Sequence, residues 1–353
     1  MNKIKANNYF VEFKQEGFDS LKKLIIDNNY SSIFIIADSN TKKHCLPVLI
    51  KKFSKSIKSE LISISPGEKN KTINSCQKIW KTLSDKGGDR KSLILNLGGG
   101  VITDMGGFIA STFKRGIDFV NIPTTLLSMV DASIGGKTGV DLGAIKNQIG
   151  VISNPKLVII DTEFLKTLSE REFKSGYSEM LKHGLIYDTV YWNNISNILN
   201  NGDLSTFIHK SIEIKNNIVL KDPYENRLRK VLNFGHTIGH AIESYFIEAD
   251  HLIKLTHGEA IAIGMIVEAS ISVSKCSLKQ SEANEIKSVF NSIFSKIKIS
   301  DQDQENIISL MKFDKKNSHG NINFVLLNSI GEASIDNVVS VDQIRNGFDF
   351  YNS

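Results

Sequence analysis

Ser92-Leu93-Ile94-Leu95-Asn96-Leu97-Gly98-Gly99-Gly100-Val101-Ile102-Thr103-Asp104-Met105-Gly106-Gly107 is a short apolar run that breaks into glycine. Its first part reads as a strand. The glycines lack a Cβ, so backbone and phosphate can approach closely, and a helix beginning there would offer its N-terminal amides to the anion. Thr103 stands where the last glycine of a GxGxxG fingerprint belongs, so the motif is incomplete. A plain glycine-rich turn is the simpler alternative; the strand-to-helix position favours phosphate binding.

Upstream and downstream the same alternation repeats. Ser32–Ala37, Leu61–Ile64 and Phe119–Ile122 read as strands, and segments 18–28, 41–53 and 72–85 have helical periodicity. Strands alternating with helices argue for a parallel sheet covered on both faces, with ligands bound beyond the carboxyl ends of the strands. Asp38 and Asn40 follow one such strand, Glu68 and Lys71 another, where ribose and adenine contacts arise. Leu157–Ile160 reads as one more strand, punctuated by Pro155. Beyond it helical patterns dominate, apart from a weak strand pair near Asn323–Leu327 and Ala333–Ile335. The expected architecture is a Rossmann-like α/β domain over residues 1–160 and a mostly helical domain over 161–353.

Composition agrees with a globular enzyme-sized chain. It has 353 residues, 41% hydrophobic and 23% charged, enough for two cored domains. The first residues lack the apolar run of a signal peptide, and no segment reaches membrane-spanning length. Cys45, Cys76 and Cys276 make neither a metal-type pair nor a disulfide framework. A cytoplasmic protein is expected. The net charge of +5 is dispersed, without the aromatic-interleaved basic patch of a nucleic-acid binder. A phosphorylated small molecule suits that charge equally well.

Chemistry concentrates in the second half. In Arg229-Lys230-Val231-Leu232-Asn233-Phe234-Gly235-His236-Thr237-Ile238-Gly239-His240 a helix would place Arg229, Asn233, His236 and His240 within roughly a 60° arc. Two His at i, i+4 are also a recurring metal geometry. Glu179, Lys182 and His183 share a helical face, most simply a salt-bridged one. His257 stands at a helix start. Glu179, His236 and His257 would make a His₂Glu site with an open position, as in catalytic zinc centres; His240 serves equally well in place of His257 by spacing. Gly135-Gly136-Lys137-Thr138 resembles the end of a P-loop, but Asp131 occupies the position of its first glycine. Lys137 remains as a lone phosphate ligand.

Taken in order, PGEKNK, GGGVITDMGGF, TFKRG, IPTTLLSMVDASIGGKTGVD, KNQIG, SGYSEMLKHG, RKVLNFGHTIGHAIE, HGEAIAIGM and DKK resemble the 3-dehydroquinate synthase family over about residues 30 to 335. The resemblance implies an NAD-binding N-terminal domain, with Asp38, Asn40, Glu68, Lys71, Gly99, Gly100, Val101, Asp104, Thr124, Thr125 and Leu127 at cofactor positions. It implies zinc or cobalt on Glu179, His236 and His257, which assigns His240 to the substrate. Asp131, Lys137, Lys146, Asn147, Lys182, Lys215, Arg229, Asn233, His240 and one of Lys315 or Lys316 match substrate positions. Arg115 matches an arginine that reaches the neighbouring subunit's substrate, implying a homodimer. The implied substrate is 3-deoxy-D-arabino-heptulosonate 7-phosphate. Transient oxidation by NAD, β-elimination of phosphate, re-reduction, ring opening and aldol closure then give 3-dehydroquinate, a lyase reaction of the shikimate pathway. Ile145, where many members have Gly, and Ser153-Asn154 depart from the family pattern near the Lys146–Asn147 loop.

Three other readings compete. Another sugar-phosphate cyclase, such as a deoxy-inosose or valiolone synthase, uses the same logic on a neutral-headed substrate; Arg229, Lys215 and Asn233 favour a carboxylated one. A metal-dependent polyol dehydrogenase would release NADH stoichiometrically and needs no extended phosphate cradle. A non-catalytic metabolite-binding protein has no use for the intact set of metal ligands, lysines and histidines.

Overall fold

In a computed structural model that describes residues 2–53, 58–143, 145–198, 204–248, 254–311 and 322–353, the chain divides into two compact units, Met1–Ser169 and Glu170–Ser353. The first unit is built on a sheet of β1 (Ile4–Lys5), β2 (Phe10–Phe13), β3 (Ser32–Asp38), β4 (Glu60–Ile64), β5 (Ser92–Gly98), β6 (Asp118–Pro123) and β9 (Leu157–Ile160). Its order is β1-β2-β9-β6-β5-β3-β4. Only the β1–β2 pairing is antiparallel. β5 is buried along its whole length, the pattern of a strand covered on both faces. This is a Rossmann-like α/β unit.

Helices α1 (Lys14–Asn28), α2 (Ser39–His44), α3 (Leu46–Phe53), α4 (Ile73–Asp85) and α5 (Gly100–Thr112) connect the strands. The single helix expected over 41–53 is in fact two, broken at Cys45. Pro47 cannot donate the backbone bond that would continue α2, so the chain restarts as α3 around it. α5 presses onto the sheet because Gly106 has no side chain: a Cβ there would overlap the Asn96 amide of β5. Phe34, Ile36, Ile94, Ile102, Met105, Ile109 and Phe119 form the core beneath it.

A hairpin of β7 (Lys137–Leu142) and β8 (Ile145–Ile152) occupies the segment that resembles a P-loop end. It was not readable as strands, because β8 is mostly exposed and lacks period-two alternation. Gly139 and Gly150 pair across it, and a Cβ on Gly150 would overlap Thr138 O.

The second unit contains α6 (Glu170–Tyr187), α7 (Thr189–Ile195), α8 (Ser205–Lys221), α9 (His236–Glu248), α10 (His257–Lys275), α11 (Gln280–Ile293), α12 (Asp301–Met311) and α13 (Val341–Asn352). A hairpin of β10 (Asn323–Ser329) and β11 (Glu332–Val338) joins them. α10 is apolar nearly all round and packs against α6, α9, α11, α13 and β10. A capping box starts it: Thr256 accepts from Glu259 N at 3.4 Å, while the Glu259 carboxylate accepts from Thr256 N at 2.7 Å.

The continuous helix considered for 229–240 does not exist. Leu228–Asn233 is a 3-10 turn, and Phe234 (φ −56°, ψ 129°) and Gly235 (φ 79°) make a further turn before α9 begins at His236. A side chain at Gly235 would overlap Met265, so the close approach of α10 and the left-handed backbone both require glycine there. His236 and His240 therefore share a helical face, whereas Arg229 and Asn233 come from a separate turn.

Candidate active site

In the second unit α9 and α10 bring three imidazoles together. The ring centroids of His236, His240 and His257 are 5.1 to 5.8 Å apart, and their nearest ring nitrogens lie within 4.8 Å of one another. From α6, fully buried Glu179 places Oε1 3.7 Å from Nε2 of His236 and 3.7 Å from Nε2 of His257. Tetrahedral ligands about 2.1 Å from a zinc ion are spaced by roughly 3.4 Å, so this cluster needs little movement to close on a cation.

The tautomers suit the same use. His236 Nδ1 lies 3.0 Å from Phe234 O and His257 Nδ1 lies 3.1 Å from Glu243 Oε2. With Nδ1–H donated in each case, the Nε2 lone pairs turn toward Glu179. Burial depresses protonation of His257, but Glu243 and Glu179 outweigh it and raise its pKa to about 9. A cation at the cluster would replace that proton. Lys182, one turn along α6, pairs with Glu179 in the buried interior. His183 turns away and bonds Ser211 on α8 at 2.7 Å.

Arg229 is 2% exposed and donates to Pro223 O at 2.6 Å. Its turn is organised by Asp222, which accepts from Arg227 N at 2.7 Å and from Asn226 N and Arg229 N at 3.0 Å. Burial opposes ionisation of Asp222, but those amides hold its carboxyl below the usual range. Asn233 Nδ2 donates to Glu225 Oε1 at 2.7 Å. Lys215 is buried on α8, which packs against both α6 and this turn. Lys315 and Lys316 lie outside the described residues.

In the first unit Gly99 precedes α5 without a side-chain cap; Ile102 N and Thr103 N donate to Gly99 O at 3.0 and 3.1 Å, and the opening amides of Gly100 and Val101 have no intrahelical acceptor. Gly99 and Gly100 stand beyond the carboxyl end of β5, and Thr124 N donates to Gly98 O at 3.0 Å, which sets Thr124 and Thr125 alongside. A Cβ on Gly99 would come within 3.0 Å of Thr125. That bare cradle fits the phosphates of a dinucleotide. Val101 lies in the first turn of α5, and Leu127 follows the threonines. Asp38 ends β3 and uses Oδ1 to cap α2, accepting from Asn40 N and Thr41 N at 2.8 Å.

Lys71 ties several expected positions together. Its ammonium donates to Asp104 at 2.7 Å and to Asn147 Oδ1 at 2.6 Å, with Glu68 3.7 Å away. Burial alone would lower its pKa; the Asp104 and Glu68 carboxylates outweigh burial and raise it. Glu68 is also 3.7 Å from Lys146. Asn147 has φ 50°, held by Asp141, which accepts from its amide at 2.6 Å. Asp131 lies in the π-helical turn Ser128–Ala132, and Lys137 opens β7 exposed. Arg115 is exposed after α5, between Lys114 and Gly116, and all three have positive φ.

Glu243, Glu268, Asp222 and Asp141 escaped the sequence reading. Each acts on a neighbour distant along the chain or on a backbone amide, and no local spacing marks such a role.

The chain matches the 3-dehydroquinate synthase N-terminal family model over residues 61–175 and the 3-dehydroquinate synthase C-terminal model over residues 176–317. It is 39% identical over 346 residues to a 3-dehydroquinate synthase of Parabacteroides distasonis, covering 96% of each chain. It is likewise 39% identical over 347 residues to that of Thermoanaerobacter pseudethanolicus, covering 95% of each. Among solved structures it resembles a 2-deoxy-scyllo-inosose synthase complexed with carbaglucose-6-phosphate, NAD+ and Co2+, with TM-score 0.84, 24% identity and 98% and 99% of the two chains covered. A 2-epi-5-epi-valiolone synthase from Streptomyces hygroscopicus, with NAD+ and Zn2+ bound, gives TM-score 0.80 at 22% identity, covering 99% of this chain and 98% of that one. These two share the fold. No helix among the described residues is long and apolar enough to cross a membrane.

Proposed function

The chain belongs to the 3-dehydroquinate synthase family, a family of lyases, and on that premise we propose how its own residues carry out the reaction. The substrate is 3-deoxy-D-arabino-heptulosonate 7-phosphate and the products are 3-dehydroquinate and phosphate. Residues 1–160 serve as the NAD-binding domain and 161–353 as the metal- and substrate-binding domain, in a cytoplasmic homodimer.

Glu179, His236 and His257 would hold a divalent cation, zinc or cobalt. Gly99, Gly100 and Val101 would receive the phosphates of NAD, with Asp38, Asn40, Glu68, Lys71, Asp104, Thr124, Thr125 and Leu127 contacting the rest. When bound, NAD supplies reversible hydride acceptance and the cation supplies polarisation of the hydroxyl being oxidised. Arg229 forks onto the substrate carboxylate, and Lys215 adds charge. Lys137, Asn147, Asn233, His240 and a lysine of the 315–316 pair hold the phosphate, Asn233 and His240 by hydrogen bonds to its oxygens. Lys182, Lys146 and Asp131 complete the substrate contacts, and Arg115 reaches the partner's phosphate. A phosphate oxygen accepts the proton released in β-elimination.

The observation that carries this reading is the common approach of His236 and His257 to Glu179 Oε1, at 3.7 Å each. Purified protein supplied with the heptulosonate phosphate, NAD and Zn2+ is expected to release phosphate without accumulating NADH. Steady NADH accumulation would identify a polyol dehydrogenase instead.

A further inference from the structure

α9 begins with a metal-site residue but has no capping side chain of its own, because the residue before His236 is Gly235. The cap comes from another helix. Glu268 of α10 is fully buried; its Oε2 accepts from Gly235 N at 2.6 Å and its Oε1 lies 3.5 Å from Ile238 N. First-turn amides of a helix have no intrahelical acceptor, so this carboxylate answers donors that burial would otherwise leave costly.

One turn earlier on α10, Gly264 lies against the same backbone. A Cβ there would overlap Gly235 O and come within 2.9 Å of Gly239 N. The glycine contact sets how closely the two helices approach. The Glu268 bonds set where α9 starts and how its first turn is rotated. His236 is the first residue of that turn, and His240 is one turn on; His257 is the first residue of α10.

We infer that Glu268 is a positioning residue for the metal centre, clamping the start of α9 to α10 so that His236 meets His257 and Glu179 at ligand spacing. The inference rests on the metal reading above and deepens it. Partners that orient ligands without touching the metal typically change affinity by about 10–100-fold when lost. Glu268→Gln keeps the shape and one acceptor but turns a donor toward the second amide, so half of the clamp fails.

The test uses metal-stripped full-length protein. Zn2+ affinity is measured by chelator competition, Co2+ by its visible spectrum, and folding of the metal-free form by thermal denaturation. E268Q is expected to fold, to bind Zn2+ about tenfold or more weakly, and to shift the Co2+ spectrum. A folded E268Q with Zn2+ affinity within about twofold of wild type and an unchanged Co2+ spectrum overturns the clamp, since a purely structural cap would leave both untouched. If E268Q does not fold, the wild type decides. Coupling is reciprocal, so Zn2+ must slow hydrogen exchange at Gly235 N and Ile238 N, and no slowing overturns the inference. A wild-type protein that takes up no Zn2+ overturns the metal reading itself, and the clamp with it.

Discussion

Glu243 and His257 are fourteen residues apart in sequence, yet Glu243 Oε2 sits 3.1 Å from His257 Nδ1. Glu243 lies on α9 at i+7 from His236 and i+3 from His240, so one face of one helix supplies two imidazoles and the carboxylate that orients a third. Removing that carboxylate leaves the His257 ring without the bond that fixes its tautomer. Glu243→Ala is expected to weaken Zn2+ binding by about 10–100-fold, measured by chelator competition, with helical content by circular dichroism unchanged. Unaltered affinity would mean that α10 alone orients His257.

The three histidines should separate by what each loses. His236→Ala and His257→Ala are expected to bind no stoichiometric metal after purification. His240→Ala is expected to keep its metal while kcat falls about 10²–10³-fold, the range for loss of one hydrogen-bond donor to developing charge. Metal analysis on the three variants checks this. Loss of metal from His240→Ala with retention in His257→Ala would exchange their roles.

Gly264 of α10 lies against the backbone at the start of α9, and the obstacle to a side chain there is Gly235 O and Gly239 N. Gly264→Ala should therefore lower stability by about 1–3 kcal/mol or more in denaturant titration, since neither helix can yield locally. Stability equal to wild type would show that the helices can separate freely.

Thiol reactivity should follow burial. Burial pushes the Cys45 thiol up to about 11, with hydrogen bonds from Thr124 and Thr167 acting the other way, and it pushes Cys76 up to about 12. A thiol is neutral below its pKa, so at pH 8 about one Cys45 in a thousand is thiolate, and fewer of Cys76. Alkylation at pH 8 should label Cys276 alone in the folded protein and all three cysteines after denaturation, as read by mass spectrometry. Rapid labelling of Cys45 would show that its surroundings open.

Arg115 carries the homodimer proposal. Arg115→Ala should form inactive dimers, with activity regained on mixing with a variant inactivated at His240. Regained activity would require that one subunit's arginine serve the other's site. Absence of rescue, with subunit exchange verified by labelled chains, would count against a shared site.

How much was legible in advance follows from the range of each interaction. Five strands of the first unit's sheet, β3 to β6 and β9, and the glycine entrance to α5 are local, written in a few consecutive residues, whereas the short β1 and β2 carry no readable pattern. Periodicity and the lack of a Cβ act at that range, so Ser92–Gly98 and Gly99–Gly100 could be read directly. The β7–β8 hairpin was not legible, because an exposed ribbon has little burial to impose alternation.

By itself the sequence determined the alternating α/β unit, the helical unit and the residue types of the metal cluster. Tertiary structure decided their arrangement. It broke 229–240 at Gly235, because α10 lies too close for any other residue and the backbone turns left-handed there. It also supplied Glu243 and Glu268 as partners for His257 and α9. Spacing could pair His236 with His240 along one helix. Only packing brought His257 and Glu179, from two other helices, to the same few ångströms.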